Sequence, residues 1–419
     1  MLKKVYAIAT VSRLITLSIA ILAYPFIGSY DSSAEIQLNS TIKHRLLTAF
    51  LRWDALYFLH IAEDGYIYEQ ETAFFPIMPL CARLITNTVY YPLQSILDRK
   101  YVLLLSGITI SNIAFILAAG ALYKLTLTLL PKNRKLALLS SIAFCLSPPA
   151  MFMSSFYTES LFAYLSFTGM RWVAQKKYLN AALIWGVTSA VRSNAIIYSG
   201  FFFYDFVWIR YLKHKNYLIG LLQSVYYTLI VCIGFGLFQF YGYNEFCVKM
   251  TTEERPWCTN KIPLLYSFVQ KEYWNNGFLA YYELKQIPNF ILAAPIILLS
   301  LFGLKTFSQH DHLRFWTIGY VTTNARNDGY YHFNLLVYMY LWLFLFMFAI
   351  TNMHIQVIIR FFTSLPPLYW FVGHLWIKGF SNVKQHNTSS SFIAHSVLYY
   401  FVLYGLLSII LFAAFLPPA

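Results

Sequence analysis

The stretch RWDALYFLHIAEDGYIYEQETAFFPIMP, Arg52 to Pro79, gathers five acids (Asp54, Glu63, Asp64, Glu69 and Glu71) in a chain that is only 11% charged. A carboxylate flanked by Trp53 and one helical turn from Tyr57 and Phe58 loses part of its water, and a carboxylate so held is suited to act as a general base. Asp54 has that setting, whereas Glu69 and Glu71 read as solvated loop residues. Arg192 lies in a mostly apolar run, where an arginine is costly and either does chemistry or snorkels to the interface. His354, Gln356 and Arg360 cluster in MHIQVIIR, with Gln356 and Arg360 on one helical face. Glu159 opens ESLFAYLSF, as either a substrate contact or an acid favoured by the helix dipole. Tyr273, Trp274 and Asn275 in EYWNNGF suit either sugar contacts or an aromatic interface belt.

These residues need elements to hold them. From Thr48, a helical reading puts Leu51, Ala55, Phe58 and Ala62 on one apolar stripe, and Trp53, Tyr57, His60 and Asp64 on a second, mixed one. Such a helix lies at a membrane surface with its apolar face down. Gly65 ends it, and Pro76 and Pro79 keep AFFPIMP from forming one regular helix.

The membrane itself follows from composition. The chain has 419 residues, of which 58% are hydrophobic and 19% aromatic, with a mean hydropathy of +0.54. Lipid must solvate much of it, and backbone in lipid must be helical. The expected fold is therefore a single all-α polytopic membrane domain over 1–419, with about eleven transmembrane helices and two lumenal loops carrying interfacial helices. Four of these pieces, near 136–154, 159–174, 178–193 and 195–209, are short for a span. With Lys3 and Lys4 cytosolic, the first loop, 29–100, and the second, 242–287, face the lumen. The net charge of +14 sits mainly in short loops between spans, which argues for membrane topology and against nucleic acid. Val5–Gly28 reads as a retained first helix, because Arg13 interrupts it and it is too long for a signal peptide.

Asn39 opens a sequon expected to be lumenal and open to glycosylation, and Asn387 one expected to be cytosolic and bare. Cys247 and Cys258 share the second loop, where oxidation is allowed, and are expected to pair, while Cys145 and Cys232 lie in spans. No His/Cys cluster has metal-ligand spacing, so no metal or other cofactor is expected.

Several fragments together carry a resemblance: RWDALYFLHIAEDGY with AFFPIMP, SPPAMFMSSFYTESLFAYLSF, AVRSNAI, RPWC, IPLLYSFVQKEYWNNGFLAYY, MHIQVIIRFFTSLPPLYW and LFAAFLPP. In this order, across nearly the whole chain, they resemble the GPI mannosyltransferase 2 family of the endoplasmic reticulum. The family normally has threonine where this chain has Ile359, and 305–330 matches no pattern of the family. The resemblance implies a GT-C glycosyltransferase fold with its active site at the lumenal membrane face. It implies dolichyl-phosphate mannose as donor and a GPI glycolipid precursor as acceptor, joined by an α-1,6 bond. The donor is β-linked and the product α, so one inverting displacement needs one base, and Asp54 is the candidate. The leaving lipid phosphate needs cations, for which Arg192, His354, Arg360 and Arg52 are candidates, with Arg52 equally suited to lipid headgroups. Trp53, Tyr57, Glu159, Gln356, Trp274 and Asn275 are the candidate substrate contacts. The implied partners are these two lipids, the surrounding membrane lipids and a small accessory membrane subunit.

Three other classes compete. A membrane O-acyltransferase would want a deeply intramembrane histidine, and the histidines here fall mostly in loops or at helix ends. A lipid-linked-sugar transporter or flippase would show repeat symmetry and broken midplane helices, and no repeat is visible here. A non-catalytic scaffold subunit of a glycosyltransferase complex would tolerate loss of Asp54.

Overall fold

In the computed structural model the described residues are 1–38, 45–213, 216–249, 255–321, 323, 325, 327–380 and 388–417. Among them there are helices and loops and no strand. Both sequon asparagines, Asn39 and Asn387, lie outside the described residues.

The long helices are α1 (Leu2–Ile27), α4 (Arg99–Leu129), α9 (Tyr217–Lys249), α11 (Ile287–His310), α12 (Leu336–Asn352) and α14 (Thr388–Ala413). Between α1 and α4 lie α2 (Asp54–Asp64) and α3 (Ile77–Asn87). After α4 come α5 (Arg134–Cys145), α6 (Glu159–Ala174), α7 (Tyr178–Ser189) and α8, an irregular helix over 193–212. Between α9 and α11 lies α10 (Leu265–Glu272), and α13 (Pro366–Gly379) follows α12.

Among the described residues, six helices are long and apolar enough to cross a membrane, or seven if the bent pair Ile355–Ser364 and Pro366–Gly379 counts as one span. The expected eleven therefore exceed what length supports. At about 1.5 Å per residue, the 12 residues of α5 and of α7 reach only about 18 Å. They are wedged among other helices: α7 contributes the buried Trp185, and α13 is buried along most of its length. Where α7 meets α9, backbone touches backbone. A Cβ on Gly186 would stand 2.7 Å from the carbonyl oxygen of Ile230, and one on Gly234 would overlap the carbonyl oxygen of Gly186. This small-residue contact is a standard way for membrane helices to approach.

Two local readings change. Leu51–Trp53 do not join the surface helix, which starts at Asp54, while Gly65 caps it at φ 88°. AFFPIMP is not one regular helix, as expected: α3 begins only at Ile77, after Pro76, and Pro79 fits inside its first turn, where a proline leaves no hydrogen bond unmade. The span at 217 also runs on past 241 through a π-wound extension to Lys249. Buried Phe246 on that extension packs with Trp257, Leu265 and Val269.

An apolar core lies where α1 and α14 finish and α4 begins. It joins Ala20 and Tyr24, Leu51 to Ala62, Tyr101 to Ile108, Ala150 to Tyr157, and Ile409 to Ala413. The connector leading into α6 is held from both sides. Arg13 of α1, buried in the span, donates to the Ala150 carbonyl (2.8 Å) and to Ser154 Oγ (2.8 Å), and lies over Phe115. From α4, Asn112 donates to the Ser154 carbonyl (2.9 Å) and Ser111 to the Tyr157 carbonyl (3.1 Å).

Candidate active site

That connector delivers Glu159 to the first turn of α6, and the turn before α2 delivers Asp54 to its first turn. Both carboxylates open helices, where backbone N–H groups and the dipole favour negative charge. Both meet Arg360, on the short helix Ile358–Phe361 at the bend before α13. Arg360 Nη2 donates to Asp54 Oδ2 at 2.5 Å, and its Nε to Glu159 Oε1 at 2.9 Å. Arg192, at the start of α8, stands 3.5 Å from the same Glu159 oxygen. The guanidinium of Arg360 lies over Phe152 (4.4 Å) and Tyr157 (5.0 Å).

Two acids and two arginines thus converge from four parts of the chain. Glu159 is fully buried with Oε2 unpartnered, whereas the Asp54 side chain is 27% exposed. Asp54 is the carboxylate that an incoming molecule can reach, and Glu159 anchors the arginines behind it. Phe152 and Tyr157, the aromatic floor under Arg360, were not singled out by sequence reasoning; the signal was the aromatic spacing in FMSSFYTES just before Glu159.

The remaining candidates surround this group unevenly. Tyr57, one turn after Asp54, stacks on Phe74 and meets Trp274 edge-on (5.8 Å), and burial beside Asp54 and Glu71 pushes its hydroxyl pKa up. Trp274 Nε1 and Trp53 Nε1 are buried without a hydrogen-bond partner. His354 stacks on Tyr281 (4.5 Å), whose hydroxyl donates to Gln356 Oε1 (3.3 Å). Burial lowers the His354 pKa, against an opposing contact with the Trp274 backbone, and its Nε2 is buried and unpartnered.

Arg52 does not join the cluster. Its side chain is fully buried, 3.7 Å from Glu35, and donates to the Ala413 carbonyl (3.1 and 3.3 Å), an arrangement that ties chain segments together instead of offering cations to an incoming phosphate. Asn275 is exposed and holds a left-handed turn (φ 47°), which asparagine tolerates.

Glu69 and Glu71 are the clearest correction, since both are buried. Glu69 accepts from Trp257 Nε1 (2.5 Å) and the Tyr273 hydroxyl (2.8 Å), fastening the second loop to the first. Glu71 accepts from the backbone N–H of Ile67 (2.9 Å) and Tyr68 (3.0 Å) and pairs with His60 Nδ1. Cys247 and Cys258 are bonded as a disulfide, with Cα atoms 5.7 Å apart, beside Trp257. Among the described residues no three His, Cys, Asp or Glu gather as a metal site.

Over 98% of the chain, the fold is similar to that of an oligosaccharyltransferase from Archaeoglobus fulgidus in its apo form, with TM-score 0.53 and 11% identity, and the chain spans 56% of that protein's length. A second structure of the same protein, with zinc and sulfate, gives TM-score 0.51 at 12% identity, covering 97% of this chain and 53% of the other. At such identity the likeness speaks to fold alone: the chain is a GT-C-like polytopic helical membrane protein. In sequence it is 33% identical over 364 residues to GPI alpha-1,6-mannosyltransferase 2 of Homo sapiens, covering 79% of this chain and 73% of the relative. It is 32% identical over 413 residues to GPI mannosyltransferase 2 of Gibberella zeae, covering 93% and 91%. The profile described as Mannosyltransferase (PIG-V) matches residues 2–419, and the chain belongs to that family.

Proposed function

We propose that this chain transfers mannose from dolichyl-phosphate mannose to the first mannose of a GPI glycolipid precursor, forming the α-1,6-linked second mannose. The relatives' names support the acceptor and the linkage. The observation that carries the chemistry is Arg360 shared between a reachable Asp54 and a buried Glu159.

The acceptor hydroxyl oxygen attacks the anomeric carbon of the donor. The bond from that carbon to the phosphate oxygen breaks, dolichyl phosphate leaves with the electron pair, and the hydroxyl proton passes to Asp54. One displacement inverts the β-linked donor to the α product. Arg360 and Arg192 supply the positive charge for the leaving phosphate. Arg192 has the looser contact with Glu159, at 3.5 Å, and is the arginine freer to turn toward the phosphate. Bonding and charge that grow toward the transition state make such groups effective. No metal is assigned a step.

His354 fits a different role from the phosphate contact its sequence position suggested. Burial favours its neutral ring, and in the tautomer with the proton on Nδ1 the buried, unpartnered Nε2 carries a lone pair. A lone pair repels phosphate oxygens and accepts from a sugar hydroxyl. Trp274 and Tyr57 line the same side for sugar packing. We place the reaction at the lumenal face of the endoplasmic reticulum membrane, on the basis of the basic N-terminal residues and the family, with a small accessory membrane subunit as a further partner.

The test is mannose transfer in microsomes from dolichyl-phosphate mannose to a one-mannose GPI precursor. Asp54→Asn keeps the side chain's size but cannot take the proton, and transfer should fall about 10²–10⁴-fold at equal abundance. Retention of a tenth or more of wild-type transfer removes Asp54 as the base.

A further inference from the structure

Asp54 is the residue after a backbone anomaly. Arg52 to Ala55 form a tight turn closed by the Ala55 N–H on the Arg52 carbonyl (3.1 Å). Trp53, second in that turn, has φ 54° and ψ −123°. That is the second position of a type II′ turn, which glycine fills without strain and a bulky side chain does not. Strain of this kind persists only where the surroundings impose it, and it concentrates at working sites.

The surroundings here are specific. The Trp53 ring packs on Phe415 (5.1 Å). The Arg52 guanidinium lies 5.0 Å from the same ring and donates to the Ala413 carbonyl. The Tyr157 hydroxyl donates to the Arg52 carbonyl (2.7 Å). The gripping segment is itself anchored, with the Ala414 carbonyl accepting from the Tyr30 N–H (2.9 Å). Ala413, Ala414 and Phe415 are all buried.

We propose that segment 413–415 is a positioning element for Asp54, with Phe415 and Ala413 holding Trp53 and Arg52 in the strained turn that aims the carboxylate at Arg360. This rests on Asp54 being the base. A misplacement of the base by about 1 Å is enough to cost on the order of 10² in rate. Phe415 and Trp53 are positioning residues that act through Asp54, with no substrate contact required.

The experiment compares full-length variants in microsomes. Phe415→Ala should lower kcat for mannose transfer about 10–100-fold with KM for both lipids within about twofold, and Phe415→Tyr, which keeps the ring, should restore most of it. Glycine needs no restraint at position 53, so adding Phe415→Ala to Trp53→Gly should change kcat less than about threefold. An equal fall in both backgrounds, or a rise in KM with kcat unchanged, overturns the proposal. Asp54→Asn in the same assay separates this inference from the functional reading: if Asp54→Asn keeps its rate while Phe415→Ala loses it, the base assignment and this inference fall together. If the wild type transfers no mannose, the functional reading fails and hydrogen exchange decides the rest. The Ala55 N–H should then exchange about tenfold faster in Phe415→Ala than in wild type, and no faster in the double variant than in Trp53→Gly. Unchanged exchange in Phe415→Ala shows that the segment does not hold the turn.

Discussion

Asp54 and Glu159 share this end of the molecule with another pair of acids, the buried Glu69 and Glu71, and the two pairs are built differently. Glu69 spends both oxygens on neutral donors, Trp257 and Tyr273, and Glu71 spends its own on two backbone N–H groups and His60. Such acids are satisfied and hold loops in place. Asp54 and Glu159 instead divide one guanidinium between them, leaving an oxygen of Glu159 unpartnered and Asp54 open to solvent. A buried carboxylate with complete partners is architecture; one that shares its partner has capacity left for a substrate.

The widest break between the pairs should come from Arg360→Ala. Removing the cation common to both site acids should abolish transfer and cost about 3–5 kcal/mol of stability, the range for breaking a buried pair. Thermal unfolding and transfer measured on the same preparation check this, and wild-type transfer by the variant would place the chemistry elsewhere. On the architectural side, Cys258→Ser should cost about 3 kcal/mol, the loop-closure value for a disulfide of sequence separation 11. Glu69 should then lose its grip on Trp257, a change that tryptophan fluorescence reads. Glu71→Gln should cost about 1–3 kcal/mol, because the amide keeps its shape but presents N–H groups to donors. Transfer per folded molecule should stay near wild type, and a loss as deep as that of Asp54→Asn would merge the two pairs. The smallest effect is one of pH. Burial lowers the folded pKa of His354 below its ordinary 6.5, so the unfolded chain binds the proton first. The stability this contributes is fully present above about pH 6.5 and is lost as pH falls below it. His354→Gln should flatten that part of a melting-temperature profile against pH.

How far this was legible in the sequence depends on whether a signal was local. The helix Asp54–Asp64 follows from residue spacing, but its apolar stripe of Ala55, Phe58 and Ala62 is buried against other protein segments and not laid face down on the membrane, because spacing marks an apolar face without saying what covers it. The setting of Asp54 pointed to a base because Trp53 and Tyr57 are its near neighbours. Nothing local brings Asp54 to Arg360, 306 positions away, or Glu159 to Arg360, 201 positions away. Glu69 and Glu71 read as solvated for the same reason: their partners Trp257 and Tyr273 come from a distant loop, and the capping of Ile67 and Tyr68 depends on a turn with no apolar period. Arg52 was misjudged because a charge next to a candidate base looks like part of the chemistry until Glu35 and Ala413 are seen around it. The short helices α5 and α7 leave the count of about eleven spans without support from length, since helices buried among others need not match the thickness of the bilayer.

Arg13 has a consequence for how the chain is made. Its guanidinium is paired with the carbonyl of Ala150, 137 residues downstream. At about 5–20 residues per second, that partner emerges from the ribosome roughly 7–30 s after α1 does. During this interval the first span carries a charge that lipid solvates poorly. It should linger beside the insertion machinery or a chaperone, and become a settled membrane helix only once the 150–154 connector arrives. Nascent chains arrested before residue 150 should therefore be extracted from membranes more readily than those arrested after the connector is complete, and Arg13→Leu should erase the difference.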